Sequence, residues 1–256
     1  MEDITRQNGA YWEAMAAHRH GVTVEDLRSG GEVVSAEELA VIGPVDGRRF
    51  LHVAAAVGDA ALSLALQGAR AVAVDIAPSH VATGRAKAAE LGVDVEYRVG
   101  DMTALADDLT GFDTIYISWG GLCWVPDLRA WVADMARRLT PGGRLVIAEH
   151  HPVWEVLSVV GHDRLALSAS YFEQEWLGRR DLAKEPQVVK ELGLEWRPHK
   201  AFVWNLGDIV SAFLAAGLVV VALQEFPNPE MYAGFAHAGH LPATYIAAAE
   251  RPVDVH

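Results

Sequence analysis

The sequence is poor in cysteine and in positively charged residues, and each feature excludes some classes of protein. Cys123 is the single cysteine among 256 residues, so no disulfide can form within the chain, and a reducing, cytoplasmic location is expected. The 21 basic residues are outnumbered by 34 acidic ones, which leaves a formal net charge of -13. Such a charge repels phosphate backbones, so we exclude nucleic acid as a partner.

The sequence also lacks a long apolar run. The longest one, Ile209–Leu223, contains Ser211 and Gly217 and is shorter than the roughly 20 residues that span a bilayer. It predicts a helix end that passes into a strand. The first residues carry acids and no apolar core, which predicts the absence of a secretory signal peptide. We therefore expect no membrane partner.

From residue 49 onward, short β-rich apolar runs alternate with helical patterns, as is typical of parallel βαβ units. This alternation predicts an α/β fold. The predicted strands are Arg49–Ala54, Ala71–Asp75, Val95–Val99, Thr114–Ser118, Arg144–Glu149, Leu218–Glu225 and Ala243–Ala249. The predicted helices are Asp59–Gln67, Ser79–Leu91, Leu128–Leu139 and Gly207–Ala216. Pro141-Gly142-Gly143 predicts a turn before the fifth strand.

Two regions lie outside this alternation, so we divide the chain into four parts. Residues 1–48 form a helical N-terminal cover, 49–152 and 204–256 form the core, and 153–203 form an inserted cap. The insertion is rich in aromatic and imidazole side chains, which favours a lid over a pocket, although an ordinary surface excursion would need similar anchors. These side chains are Trp154, His162, Tyr171, Phe172, Trp176, Trp196, His199 and Phe202.

Ligands bind beyond the carboxyl ends of the strands in an open parallel sheet, so the residues that follow the predicted strands are the candidate site. The turn after the first strand contains Ala54, Ala56 and Gly58, and it precedes a helix N-terminus. Asp75 ends the second strand, where a carboxylate can accept both hydroxyls of a ribose. A packing turn followed by a solvated Asp would give the same pattern.

Further polar and aromatic residues follow the third and fourth strands. Asp101 can accept a hydrogen bond from an adenine amino group, while Met102 packs on the ring. Ser118-Trp119-Gly120-Gly121 follows the fourth strand, and Leu139-Thr140-Pro141-Gly142-Gly143-Arg144-Leu145 leads into the fifth.

With these elements the chain resembles the class I S-adenosylmethionine-dependent methyltransferases, closely over residues 46–150 and loosely up to residue 250. The resemblance implies a Rossmann-like, mostly parallel seven-stranded sheet with an antiparallel last strand and helices on both faces. It implies S-adenosylmethionine as cofactor and S-adenosylhomocysteine as product. The cofactor residues it implies are Tyr11, Ala54, Ala56, Gly58, Asp75, Ile76, Asp101, Met102, Ser118 and Trp119.

The chain departs from that family in the first turn. His52 stands where the family has an acid, and Ala54 and Ala56 stand where it has glycines. A bacterial subgroup of small-molecule methyltransferases in secondary metabolism resembles this glycine-poor version, including His151-Pro152 after the fifth strand. A nicotinamide dehydrogenase is disfavoured because it needs Gly-x-Gly-x-x-Gly. Two alternatives stay open: a cyclisation or rearrangement without methyl transfer, and a binding subunit without catalysis.

On the acceptor side, His150 and His151 end the fifth strand, and one of them is the expected general base. Side chains alternate along a strand, so only one of the two should face the acceptor. The expected substrate-binding residues are Trp119, Trp154, Tyr171, Phe172, Trp204 and His237. His237 and His240 could hold a metal ion, but nothing nearby completes the ligand set, so no metal is expected.

This aromatic surround predicts a small, aromatic or apolar acceptor that is methylated on oxygen, nitrogen or carbon. The Trp-rich segments hint at a homodimer.

Overall fold

The computed structural model describes residues 2–31, 33–172 and 200–253. The chain begins with three helices, α1 (Glu2–Ala16), α2 (Val24–Arg28) and α3 (Ala36–Ile42). The α2 and α3 helices each begin in a capping box, in which Thr23 or Ser35 exchanges hydrogen bonds with the residue three positions later. Three helices thus precede the first strand of the sheet.

A seven-stranded sheet forms the centre of the fold. Its strands are β1 (Arg49–Val53), β2 (Arg70–Asp75), β3 (Val95–Val99), β4 (Phe112–Ser118), β5 (Leu139–His150), β8 (Val219–Phe226) and β9 (Thr244–Glu250). The strand order is β3-β2-β1-β4-β5-β9-β8, and β9 is antiparallel to both of its neighbours. The predicted fold class is therefore confirmed, including the antiparallel last strand.

Helices cover both faces of the sheet because the strand side chains alternate between two apolar cores. The helices that follow strands are α4 (Asp59–Leu66), α5 (Pro78–Leu91), α6 (Leu128–Arg138) and α8 (Leu206–Ala215). Leu51 packs in the core that contains Trp131 of α6, whereas Phe50 packs in the core that contains Leu62 of α4. The two layers of helices leave the carboxyl ends of β1–β5 at one edge of the sheet.

The fifth strand begins earlier than predicted. Leu139 already pairs with Phe112, and regular pairing resumes between Arg144 and Thr114, so residues 140–143 form a bulge within the strand. Gly142 has φ +78° and its N–H donates to the carbonyl of Arg251 (2.8 Å). Pro141-Gly142-Gly143 therefore lies in a bulge near the amino end of β5 and does not form a separate turn before the strand.

The insertion is described only at its two ends. It opens with α7 (Pro152–Val156) and a hairpin of β6 (Leu157–Gly161) and β7 (Arg164–Leu167). Val156, Ala169 and Tyr171 form a small cluster with Val203, so the two ends of the insertion pack together. Trp176, Trp196 and His199 lie outside the described residues. Across the described ranges, none of the helices has the length and apolar character needed to cross a membrane.

Candidate functional site

A cleft of about 810 Å³ opens at the carboxyl ends of β1, β2 and β4, beneath α1. We call it the main cleft. Eight of the predicted cofactor residues line it: Ala54, Ala56, Asp75, Ile76, Asp101, Met102, Ser118 and Trp119. Tyr11 and Gly58 do not line it. Tyr11 is buried against Trp12 and Trp124, and Gly58 lies against Tyr97 at the start of α4.

The turn between β1 and α4 has the backbone of a glycine turn although it holds two alanines. Ala54 has φ +49° and Ala56 has φ +48°, both in the left-handed region. An L-residue costs roughly 1–2 kcal/mol in this conformation. Two hydrogen bonds fix the turn: the Ala55 N–H donates to the Val74 carbonyl (3.0 Å), and the Gly58 N–H donates to the Ala55 carbonyl (2.7 Å). The alanines thus keep the local path while adding two methyl groups to the main cleft.

Asp75 is held by the backbone on both sides. Its Oδ2 accepts from the Ala56 N–H (2.7 Å) and its Oδ1 accepts from the Ala77 N–H (2.9 Å). Asp75 also lies beside His80, whose Nδ1 is 3.2 Å from Oδ1. Each carboxylate oxygen has two lone pairs, so Asp75 can accept further hydrogen bonds from a ligand while the protein fixes its orientation.

Helix α1 is attached to the rim of the main cleft by three polar contacts. The Thr5 hydroxyl donates to Asp101 Oδ2 (2.9 Å), and Asn8 exchanges two hydrogen bonds with the backbone of Lys200 (2.8 and 3.0 Å). Glu13 accepts from the N–H of Ser79 near the start of α5 (3.1 Å). The first helix therefore covers residues that come from three distant parts of the sequence.

His52 replaces the expected acid of the first strand and lies in the core. Its side chain is buried, its Nε2 is 3.4 Å from the Ser118 hydroxyl, and its ring packs against Tyr116. Burial lowers the pKa of His52 from 6.5 to about 4, and the nearby Asp75 carboxylate offsets this only in part. At neutral pH the folded protein therefore contains a neutral imidazole here.

We expect the stability to fall as the pH is lowered from about 6.5 to 4. The unfolded chain protonates His52 in this range and the folded chain does not, so protons favour unfolding. A pKa lowered from 6.5 to about 4 corresponds to about 3 kcal/mol. Chemical denaturation at several pH values measures this loss. His52→Gln should flatten the profile and the exposed His162→Gln should not; parallel profiles for all three proteins would contradict the assignment.

The loop after β4 is held by a buried carboxylate. Glu149 accepts from the N–H groups of Gly120 (2.5 Å), Leu122 (3.0 Å) and His150 (2.8 Å). Burial raises the pKa of Glu149, while His150 and these backbone donors act in the opposite direction. The loop carries Trp119, which has φ +41° and is about half exposed in the main cleft. Glu149 therefore positions the wall of the cleft.

The two candidate bases point to different surroundings. His150 Nδ1 lies 3.6 Å from both Glu149 and Glu155, and its ring is 6.0 Å from that of Trp119. His151 is buried: its Nδ1 accepts from the Val153 N–H (3.1 Å) and its Nε2 faces Glu225 (2.8 Å). His151 thus uses Nδ1 to cap α7 and Nε2 to contact Glu225 on β8, whereas His150 is the histidine beside Trp119.

A second cavity of about 300 Å³ adjoins the loop after β4. His150, Glu155 and Trp204 line it. Trp204 is buried, and its Nε1 donates to the Val125 carbonyl (3.0 Å). We refer to this space as the second cavity; it combines an aromatic wall with two carboxylates and one imidazole.

The other predicted substrate residues lie farther out. The Trp154 ring lies tilted beside that of His150, with centroids 5.1 Å apart, and its Nε1 donates to the Met231 carbonyl (2.7 Å). Phe172 is largely exposed and contacts Tyr171. His237 is exposed on the loop before β9 and stacks on His240. Among the described residues, no group of three potential metal ligands is found.

Several cleft residues could not be recognised from the sequence pattern. Thr5, Asn8 and Arg19 come from the N-terminal segment, and His80, Thr103, Trp124 and Pro126 come from the core. Arg19 lies over the Trp12 ring at 5.3 Å and brings a positive charge to the cleft. His80 lies five residues after Asp75, at the start of a predicted helix. This position is the one feature of the sequence that could have indicated a place in the cleft.

The chain is similar in sequence to known methyltransferases. Residues 50–143 match the family model described as "Methyltransferase domain". Over 109 residues the chain is 39% identical to a demethylmenaquinone methyltransferase of Clavibacter sepedonicus, covering 42% of this chain and 43% of that protein. Over 122 residues it is 35% identical to a ubiquinone biosynthesis O-methyltransferase of Xanthomonas oryzae, covering 47% and 51%. The chain thus matches about half the length of these curated relatives.

The structural similarity to known methyltransferases extends beyond residues 50–143. A crystal structure of an S-adenosylmethionine-dependent methyltransferase from Mesorhizobium loti superposes with a TM-score of 0.63 at 19% identity. The superposition covers 83% of this chain and 94% of that one. The likeness in fold therefore covers more of the chain than the segment that matches the family model.

Proposed function

We propose that this chain, whose residues 50–143 match the methyltransferase-domain family model, transfers a methyl group from S-adenosylmethionine to a small molecule. The observation that carries the proposal is the arrangement around the left-handed turn. Ala54 and Ala56 keep its backbone, and Asp75 and Asp101 stand beside it in one cleft. Methyltransferase relatives in sequence and in fold support this reading.

The residues of the main cleft fit such a cofactor. Asp75 would bind the ribose, and Asp101 with Met102 would bind the adenine. The turn at Ala54 and Ala56 would lie beside the methionine portion, where Arg19 supplies a positive charge for its carboxylate. When bound, S-adenosylmethionine supplies an electrophilic methyl group on a sulfonium. Trp119 and Ser118 would separate this group from the acceptor.

The acceptor would enter between Trp119 and the second cavity. His150 lies at this boundary, with its Nδ1 3.6 Å from a carboxylate oxygen of Glu149 and of Glu155. An imidazole so placed can take a proton from a hydroxyl or an ammonium as the methyl group is transferred. Trp154 and Trp204 provide aromatic surfaces on the same side. We therefore propose a small acceptor with an aromatic or apolar body.

Two flanking segments would close this site. Helix α1 would cover the cofactor, and the insertion of residues 153–203 would act as a cap over the acceptor. Tyr171 and Phe172 lie on the insertion and would contact the acceptor only from the cap side. His237 approaches from the loop before β9, and its role in substrate binding is part of the same proposal.

Titration with S-adenosylhomocysteine tests the cofactor site. We expect the wild-type protein to bind it and Asp75→Asn to bind it at least about tenfold more weakly, because an amide cannot replace a carboxylate that accepts on every lone pair. Isothermal calorimetry measures both affinities. Asp134→Asn, a change on α6 outside the main cleft at a partly exposed residue that pairs with Arg137 and Arg138, is the matched control and should bind like the wild type. Absence of binding to the wild type would refute the methyltransferase proposal.

Mass spectrometry then separates methyl transfer from the cyclisation alternative. Candidate acceptors with aromatic rings, including quinols of the kind that the names of the relatives indicate, are incubated with the protein and S-adenosylmethionine. Methyl transfer adds one methyl group to the acceptor and yields one S-adenosylhomocysteine per product. A product of unchanged mass formed without consumption of the cofactor would instead support cyclisation or rearrangement.

A further inference from the structure

We propose that His80 binds the cofactor directly and that, together with Asp75, it recognises the two adjacent hydroxyls of a ribose. The proposal deepens the proposed function, on which it rests, because it assigns a ligand to a residue beside the nucleoside part of the main cleft. Family resemblance assigns the ribose to Asp75 alone.

The position of His80 suits this role. It lies near the N-terminus of α5, lines the main cleft with Asp75 and Ile76, and is 1% exposed. Its Nδ1 is 3.2 Å from Asp75 Oδ1, and its ring lies 6.2 Å from that of Trp12 on the covering helix α1. The imidazole is therefore held between the Asp75 carboxylate and Trp12 of the covering helix α1.

The neighbouring carboxylate determines which nitrogen carries the proton. An ionised carboxylate only accepts hydrogen bonds, and Asp75 already accepts from the N–H groups of Ala56 and Ala77. The His80 nitrogen that faces it, Nδ1, must therefore be a donor. In the neutral ring this leaves Nε2 as an acceptor with a free lone pair.

That acceptor has no partner in the protein. Among the residues that the structure describes, His80 Nε2 is buried and forms no hydrogen bond. A buried acceptor without a donor is unfavourable, so such an atom in a ligand cleft indicates a donor that the ligand supplies. Vicinal hydroxyls provide two donors, one for Asp75 and one for His80. The pair would select a ribonucleoside over a deoxynucleoside, since loss of either hydroxyl leaves a buried acceptor unpaired.

Binding of deoxy analogues tests the assignment. We measure the affinity of S-adenosylhomocysteine and of its 2′-deoxy and 3′-deoxy forms by calorimetry, for the wild type and for His80→Asn. Asn reproduces the donor toward Asp75 and lacks the distal acceptor, whereas His80→Gln places an amide oxygen near the position of Nε2. We expect His80→Asn to weaken the parent ligand about tenfold, to leave the affinity of one deoxy analogue unchanged, and to be rescued in part by His80→Gln.

The outcomes separate binding from a structural role. If His80→Asn weakens all three ligands by the same factor, His80 only supports the fold of the site and the proposal is overturned. If the wild type binds no S-adenosylhomocysteine, the proposed function itself fails, whatever the variants do.

Nitrogen NMR of the ¹⁵N-histidine-labelled wild type gives a second test that needs no folded variant. One imidazole acceptor signal should shift with S-adenosylhomocysteine and stay in place with the same deoxy analogue. No such signal would overturn the proposal.

Discussion

Replacing His150 with Gln is expected to lower the rate of methyl transfer at least about a hundredfold, while the affinity for S-adenosylhomocysteine stays within about twofold. Gln has a similar length and polarity but cannot take up a proton. His150 lies beside Glu149 and Glu155, with its Nδ1 3.6 Å from a carboxylate oxygen of each, and it lines the second cavity. Single-turnover rates measured with bound cofactor report the chemical step without contributions from product release.

The adjacent histidine provides the matched control. His151→Gln changes the same residue type one position along the strand, but His151 faces Glu225 and the start of α7. We expect this variant to lose stability and to keep its single-turnover rate at a temperature where it is folded. If His150→Gln turns over like the wild type, His150 is not the base; if both variants do, neither histidine has that role.

Glu149→Gln should lower the free energy of unfolding by about 1–3 kcal/mol. Its carboxylate accepts from three backbone N–H groups, and an amide would turn an N–H₂ group toward at least one of them. A buried donor that faces another donor costs about 1–3 kcal/mol, and the wall at Trp119 would move with the loop. Urea denaturation measures the loss, and cofactor titration measures its effect on the cleft.

A surface glutamate gives the comparison for this change. Glu250 is partly exposed at the end of β9 and pairs with Arg144 (3.0 Å). Glu250→Gln should cost less than about 1 kcal/mol, because exposed ion pairs contribute little. A loss for Glu149→Gln no larger than that for Glu250→Gln would mean that the loop after β4 is not held by this carboxylate.

The sequence predicted the sheet and the strand ends well because both depend on local patterns. Short apolar runs separated by helical patterns permit only a few topologies, and the residues after parallel strands meet at one edge. This is why Asp75, Asp101 and Trp119 lie around one cleft. The early start of β5 was missed because residues 140–143 take their shape from pairing with Phe112 and Arg251, which are distant in sequence.

The rest of the site depends on contacts between distant segments. Arg19 enters the cleft because the N-terminal segment folds over it; the sequence predicted a helical cover here but not that Arg19 would line the cleft. Tyr11 was expected in the cleft, but its neighbour Trp12 takes that position and Tyr11 packs behind it. Alternation along β5 predicted that His150 and His151 have different environments. It could not predict which of them is buried, because that depends on the contacts of His151 with α7 and Glu225.

The left-handed alanines at positions 54 and 56 also bear on how such a turn can evolve. Every glycine codon becomes an alanine codon by one change at its second base, and alanine is the least bulky side chain that a left-handed backbone can carry. The backbone conformation of such a turn can therefore persist after its glycines have been replaced by alanines. A search that requires those glycines would pass over proteins of this kind, whereas comparison of the backbone path would find them.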